Sequence, residues 1–339
     1  IWLIIKNIQN KNSSFIKNDM LFFSLILGIV GVYVSSTFVR LEIFGSVGVI
    51  ILASLGLTAL TKEFFKNKPK AKKPISKLVK LSYVTGIIVL LIIPMIFPVG
   101  SNVFAISKIP PTILNGGTTF PIISTDWLDS MEWIKNNTPE DAVIAAWWDY
   151  GYWIQTKAER ASLADNSTIH THIIENIAKM LLSNPDDAWI SLNEMQADYV
   201  LVFVAGQKLG INSVEPLYVL GGGGDESKKQ WFMRIADKDL SKYLFSDGLS
   251  GTDYFWNNTL LGKMFPFTPI TYIDFQTADE FPIYLPGFEP VYVKEIKYPS
   301  DGNGPLRLVY ASPSFTEEKI GPMIGIFIYE INKEYNLTS

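Results

Sequence analysis

Three long stretches without a charged side chain govern what this chain can fold into. Residues 20–39, 43–61 and 81–107 carry no Asp, Glu, Lys or Arg, and each is close to or above the ~20 residues that carry a helix across a bilayer core. A helix in the interior of a water-soluble protein seldom needs so long an uncharged run. The reading is three membrane spans within residues 1–107. Residues 1–5 read as the tail of an earlier span, so the chain is expected to be part of a longer multi-span protein.

Lysines set the orientation. Lys62, Lys66, Lys68, Lys70, Lys72, Lys73, Lys77 and Lys80 lie between the second and third runs with only Glu63 opposing them, and Lys6, Lys11 and Lys17 precede the first. Short basic loops stay on the cytoplasmic side, which puts Arg40, Glu42 and everything after the third run outside. Residues 1–100 hold 12 of the 29 basic and 3 of the 33 acidic side chains, leaving 17 basic and 30 acidic, net −13, in the rest. Such a surface repels a phosphate backbone and excludes nucleic acid as its partner. With no cysteine, the exported part must be held by its core without disulfides.

After the spans, a Pro- and Gly-bearing linker over 108–123 leads to a folded region. Apolar spacing predicts a helix from Trp127 to Asn137, an apolar strand over 142–146, a helix over 168–183 capped by Ser167 or Thr168, a helix from Pro185 after Asn184, and a buried strand over 199–205. This alternation predicts a mixed α/β domain over 124–281. Residues 221–224 are four glycines and read as a loop. Strand-like runs over 291–298, 306–310 and 324–331 predict a β-rich C-terminal part over 282–339. The expected fold is thus transmembrane α-helices followed by an extracytoplasmic mixed α/β domain with a β-rich end.

Chemistry concentrates where the 142–146 strand ends, at Trp147, Trp148, Asp149, Tyr150 and Gly151. Strand neighbours point to opposite faces, so two adjacent tryptophans cannot both serve one core, and the chain is expected to leave strand geometry here. Two indole N–H groups donate and a carboxylate accepts, which matches the lone pairs and the proton of one alcohol; the alternative for such a pair is packing. The five residues are identical to the WWDYG signature, and on them the chain resembles the catalytic subunits of oligosaccharyltransferases. In that family the motif binds the Ser or Thr two residues after the acceptor Asn.

Ser162–Thr168, followed by Thr171, His172 and Ile173, resembles the family's Asp, Asn and Thr stretch, although His172 is also an ordinary polar contact near a helix start. Asp225, Lys228 and Phe232 resemble a second acceptor motif, an Asp and a Lys three apart with Met or Ile four beyond the Lys. Here Phe232 fills that last slot and Met233 follows, so either the register slips or a phenyl ring takes over packing against the acceptor's methyl. Without WWDYG this cluster is a solvated helix start. Arg40 resembles the arginine that meets the diphosphate of the lipid-linked donor, for which a guanidinium fork is suited; the alternative is a snorkelling side chain.

The resemblance implies transfer of an oligosaccharide from a dolichol phosphate or diphosphate carrier to Asn of Asn-X-Ser/Thr sequons, assisted by Mn2+ or Mg2+, at the cell membrane. No residue here matches the family's metal-binding carboxylates, which are expected upstream, and no metal ligand is assigned. The absence of cysteine looks archaeal. The competing reading is a non-catalytic extracellular binding domain of a transporter or sensor.

Overall fold

The computed structural model describes residues 19–37, 42–65, 76–98, 102–118, 122–210 and 216–336. It divides into two compact units, residues 1–109 and 110–339.

In the first unit, helices Asp19–Thr37 and Glu42–Phe65 pack against each other through small residues. A Cβ on Gly48 would stand 3.0 Å from Gly28 Cα, a close approach typical of helices that associate in lipid. Ser76 caps the next helix, Lys77–Ile96, by accepting from Val79 N at 3.3 Å. This helix is apolar and has no buried residue; Leu78, Leu81, Leu90 and Leu91 are all more than half exposed. A helix that is apolar all round and, among the described residues, covered only near its start, where Tyr83 stacks on Phe64, suits a hydrocarbon surrounding.

Among the described residues, two helices are long and apolar enough to cross a membrane, over Gly45–Lys62 and Lys77–Ile96, and the 19-residue helix Asp19–Thr37 carries a further apolar stretch over Phe22–Ser36. The third uncharged run does not form one helix. It ends at Ile96 and is followed by a separate turn, Val103–Ile106, whose start Asn102 caps by accepting from Ala105 N at 2.9 Å. Arg40, the tail at residues 1–5 and most of the lysine run lie outside the described residues.

In the second unit the described residues build a nine-stranded sheet organised on β3 (Tyr199–Leu209). From Tyr199 to Lys208 every residue of β3 except Gln207 is buried, as expected of a central strand covered on both faces. β1 (Val143–Ala146) runs parallel to it, pairing Ile144, Ala145 and Ala146 with Tyr199, Val200 and Leu201. β2 (Ala161–Ser162) lies parallel on the far side of β1. β4 (Leu217–Leu220) takes the same side of β3 further along, pairing antiparallel with residues 206–209.

β9 (Gly321–Ile331) covers the other side of β3 over its whole length, from Glu330 opposite Tyr199 to Gly321 opposite Lys208. β8 (Leu306–Ala311) closes beyond β9, and β7 (Glu289–Lys294) and β5 (Phe267–Ile273) continue the sheet beyond β4. Strands drawn from 282–339 therefore share one sheet with those from 124–281.

Two helix starts show how local chemistry sets boundaries. Asn184 Oδ1 accepts from Asp186 N and Asp187 N at 3.1 and 3.0 Å, and Pro185 follows as the first residue of helix Pro185–Glu194, as its sequence predicts. The neighbouring helix departs from its expectation. It begins at Thr171 rather than near 168, and neither Ser167 nor Thr168 caps it. Ser167 N donates to Asp165 Oδ1 at 2.9 Å and Thr168 adopts φ +53°, so this segment is a turn ahead of the helix.

Candidate functional site

β1 and β4 both pair with one edge of β3 but leave a gap between them. Along β3, the pairing with β1 stops at Leu201 and that with β4 starts at Gly206. A gap in a buried sheet leaves backbone donors and acceptors that must find partners. Here a side chain fills it: Asp225 Oδ2 accepts from Phe203 N at 2.8 Å, and Gly221 N donates to Ala205 O at 2.8 Å. Asp225 can come this close because Gly224 precedes it; a Cβ on Gly224 would stand 2.6 Å from Ala205 N.

The motif at the end of β1 turns into the same gap. Trp147 keeps extended geometry, Trp148–Tyr150 form a 3-10 turn, and helix Gly151–Thr156 follows. The chain leaves strand geometry where the two tryptophans require it. Tyr150 is buried against Trp127 and Phe203, with ring centroids 4.7 and 6.0 Å away. Its hydroxyl donates to Asp225 Oδ1 at 2.6 Å. Trp147 is buried with its ring 4.5 Å from that of Phe232, edge to face.

Lys228 links the two motifs across 79 residues of sequence. Its Nζ donates to Asp149 Oδ2 at 2.8 Å and to Tyr150 OH at 3.0 Å, and lies 3.9 Å from Asp225 Oδ1. Asp149 and Lys228 are each about a quarter exposed, whereas Asp225 is buried. Burial pushes the Asp225 carboxyl up to about 6, against the opposing pull of Lys228, Tyr150 and Phe203 N. Burial, reinforced by the charge of Asp225, holds the Tyr150 phenol well above its ordinary value.

Asn166 frames the motif from the side. Its Nδ2 donates to Asp149 O at 3.0 Å, and its Oδ1 accepts from Tyr152 N at 3.2 Å. The structure thus brings Trp147, Trp148, Asp149, Tyr150, Gly151, Asp225, Lys228 and Phe232 into one neighbourhood with the 162–168 segment. Phe232 is fully buried, as is Met233, so the phenyl ring lies beneath the Trp147 indole rather than at the surface.

Sequence reading did not find the backbone N–H of Phe203, because nothing in an apolar strand marks which of its amides will lack a strand partner. His170 and His172 stand 6.0 Å apart. Among the described residues no three His, Cys, Asp or Glu side chains converge as metal ligands. Chemically, the cluster gathers two indole N–H groups, an ammonium and a carboxylate, a set suited to an alcohol.

No family model matches the chain. Its sequence is similar to dolichyl-diphosphooligosaccharide–protein glycosyltransferase subunits of three eukaryotes. It is 26% identical over 279 residues to that of Caenorhabditis elegans, covering 71% of this chain and 34% of the relative. With that of Dictyostelium discoideum it is 27% identical over 223 residues, 62% of this chain and 31% of the relative. With that of Saccharomyces cerevisiae it is 34% identical over 113 residues, 33% of this chain and 14% of the relative. The chain spans about a third of the length of the first two relatives.

Among solved structures, it is similar to the C-terminal globular domain of an oligosaccharyltransferase from Archaeoglobus fulgidus at 18% identity and TM-score 0.35, covering 62% of this chain and 99% of that one. It is also similar to an A. fulgidus oligosaccharyltransferase tethered to an acceptor peptide, at 14% identity and TM-score 0.37, covering 92% of this chain and 46% of that one. By sequence the chain is thus similar, over part of its length, to dolichyl-diphosphooligosaccharide–protein glycosyltransferase subunits.

Proposed function

We propose that this chain is the acceptor-recognising, C-terminal part of a membrane-bound oligosaccharyltransferase that glycosylates Asn in Asn-X-Ser/Thr sequons. The observation that carries the reading is the bond from Lys228 to Asp149, which joins the WWDYG motif to the Asp225 and Lys228 motif on one rim. In this reading Trp147 and Trp148 donate to the hydroxyl oxygen of the acceptor's Ser or Thr, and Asp149 accepts its proton. Lys228 takes one lone pair of Asp149 and fixes the carboxylate plane, which an isolated carboxylate at a surface would not hold.

The donor is a lipid-linked oligosaccharide on dolichol phosphate or diphosphate, and Arg40 is assigned to its phosphate. The reaction class carries a divalent cation, Mn2+ or Mg2+, which offsets charge on the leaving phosphate. The described residues do not fit such an ion, so its ligands are assigned to a part of the protein outside this sequence. The lysine-rich stretch between the two spanning helices is placed in the cytoplasm, and the domain after Ile96 outside the cell membrane. A cysteine-free exported domain favours an archaeal source.

The test compares Asn-X-Thr, Asn-X-Ser and Asn-X-Ala peptides with the full-length protein and its Asp149→Ala variant. Wild type is expected to glycosylate the hydroxylated peptides and to discriminate against Asn-X-Ala by at least about 1–3 kcal/mol, the cost of buried polar groups left unpaired. Asp149→Ala is expected to lose most activity and much of that preference. A variant with normal transfer and intact selectivity would make the motif structural.

A further inference from the structure

Asp225 belongs by sequence to the acceptor motif, yet its geometry leaves no capacity for an acceptor. Both oxygens face inward, Oδ1 to Tyr150 OH at 2.6 Å and Oδ2 to Phe203 N at 2.8 Å, and the residue is 2% exposed. We propose that Asp225 is a positioning residue, holding the Asp149 carboxylate in register through Tyr150 and Lys228, so that acceptor affinity depends on Asp225 being ionised. The inference rests on the acceptor-site reading above.

The hydrogen count carries the argument. An ionised carboxylate accepts only, and Asp225 meets two donors, one of them a backbone N–H that cannot rotate. Because the Tyr150 hydroxyl spends its proton on Asp225, its oxygen is left to accept, and Lys228 is the donor it meets, at 3.0 Å. That bond fixes the ammonium, which also donates to Asp149 Oδ2 at 2.8 Å.

A proton added to Asp225 puts a third hydrogen among two acceptor oxygens already facing donors. The amide cannot turn, so the Tyr150 hydroxyl must, and the direction towards Lys228 holds only another donor. The Tyr150 to Lys228 bond breaks, and the ammonium that donates to Asp149 loses the acceptor that fixed its position. The groups facing Asp225 are Lys228 on its own element and Tyr150 and Asp149 from the turn after β1; β3 presents the Phe203 amide. Burial makes the ionised form costly enough to titrate near the working range, with an Asp225 value of about 6.

Asparagine cannot replace Asp225, since its single oxygen satisfies one donor and its amide then faces the other. Phenylalanine at 150 keeps the ring and deletes the bridge. The experiment measures KM and kcat for an Asn-X-Thr peptide at saturating donor, from pH 5 to 8, in full-length wild type, Asp225→Asn and Tyr150→Phe. Wild type should show acceptor KM rising about tenfold as pH falls through about 6, with kcat changing less. Both variants should have raised KM at neutral pH and no such step.

A variant that kept the wild-type KM and step, or that lowered kcat alone, would overturn the proposal. Should Asp225→Asn fail to fold, Tyr150→Phe carries the same comparison. Asn-X-Ala run alongside in wild type separates the two readings. Equal use of Asn-X-Ala and Asn-X-Thr sinks the acceptor site itself and this inference with it, whereas intact selectivity with wild-type behaviour of the variants sinks only the role of Asp225.

Discussion

Gly151 and Asp165 touch so closely that a Cβ on Gly151 would stand 2.5 Å from Asp165 Cα and 2.3 Å from Ala164 O. Gly151 has an ordinary helical φ of −55°, so glycine is needed here for space and not for backbone freedom. Its absent side chain lets the 162–168 segment lie against the turn that carries Trp148 and Asp149, where Asn166 reaches the Asp149 carbonyl.

Gly151→Ala should therefore be destabilising although alanine favours helix. The obstructing atoms are backbone, which cannot rotate away, and overpacking of this kind costs about 1–3 kcal/mol. Thermal unfolding of the purified protein should show a lower Tm, together with loss of acceptor selectivity as Asn166 is pushed from Asp149. An unchanged Tm would mean that the segment moves aside freely.

Phe232 and Trp147 lead to a second prediction. Phe232→Ala should cost about 3–5 kcal/mol through the cavity left beneath the indole, and should weaken the acceptor site because Trp147 loses its support. Phe232→Met, closer in volume, should cost less than about 1.5 kcal/mol. Denaturant unfolding of the three proteins checks the order. If both variants matched wild type, the ring would not be supporting the site.

What was legible in the sequence divides along a physical line. The WWDYG string, the Asn184 and Pro185 helix start and the apolar β3 run are local, and each carries its own chemistry within a few residues. The pairing of β3 with β9 joins residues more than 100 apart, and the gap filled by Asp225 exists only because β1 and β4 stop where they do. Neither leaves a mark in a short window. Freedom from charge predicts one stretch over 81–107, but its helix ends at Ile96 and a separate helical turn follows at Val103, a break that composition does not encode.

Membrane orientation can be checked directly. The lysine stretch at 62–80 lies between the two helices long and apolar enough to span, and the rule for basic loops puts it inside. A protease added to sealed right-side-out vesicles should cut within the region after Lys108 and spare residues 62–80. Cleavage of the lysine stretch from outside would reverse the orientation.

The proposed role of Asp225 implies that stability and acceptor binding respond to pH in opposite directions. Its folded-state value of about 6 lies above the value of about 4 for an unfolded chain, so the folded state binds this proton more tightly. The stabilisation it brings is fully present below about pH 4, declines as pH rises, and is gone above about pH 6. At ~1.4 kcal/mol per unit the whole effect is up to about 3 kcal/mol. Asp225→Asn cannot titrate at this position, so the wild-type minus variant difference in unfolding free energy isolates the group from other carboxylates. That difference should favour wild type most at about pH 4 and shrink by up to about 3 kcal/mol on going to pH 7. A flat difference would mean that Asp225 ionises like an ordinary carboxylate, and a difference growing with pH would mean that Lys228 and Tyr150 outweigh burial. The charged Asp225 is then a stability cost retained at neutral pH, where the arrangement it imposes on Tyr150, Lys228 and Asp149 is the one that suits an alcohol.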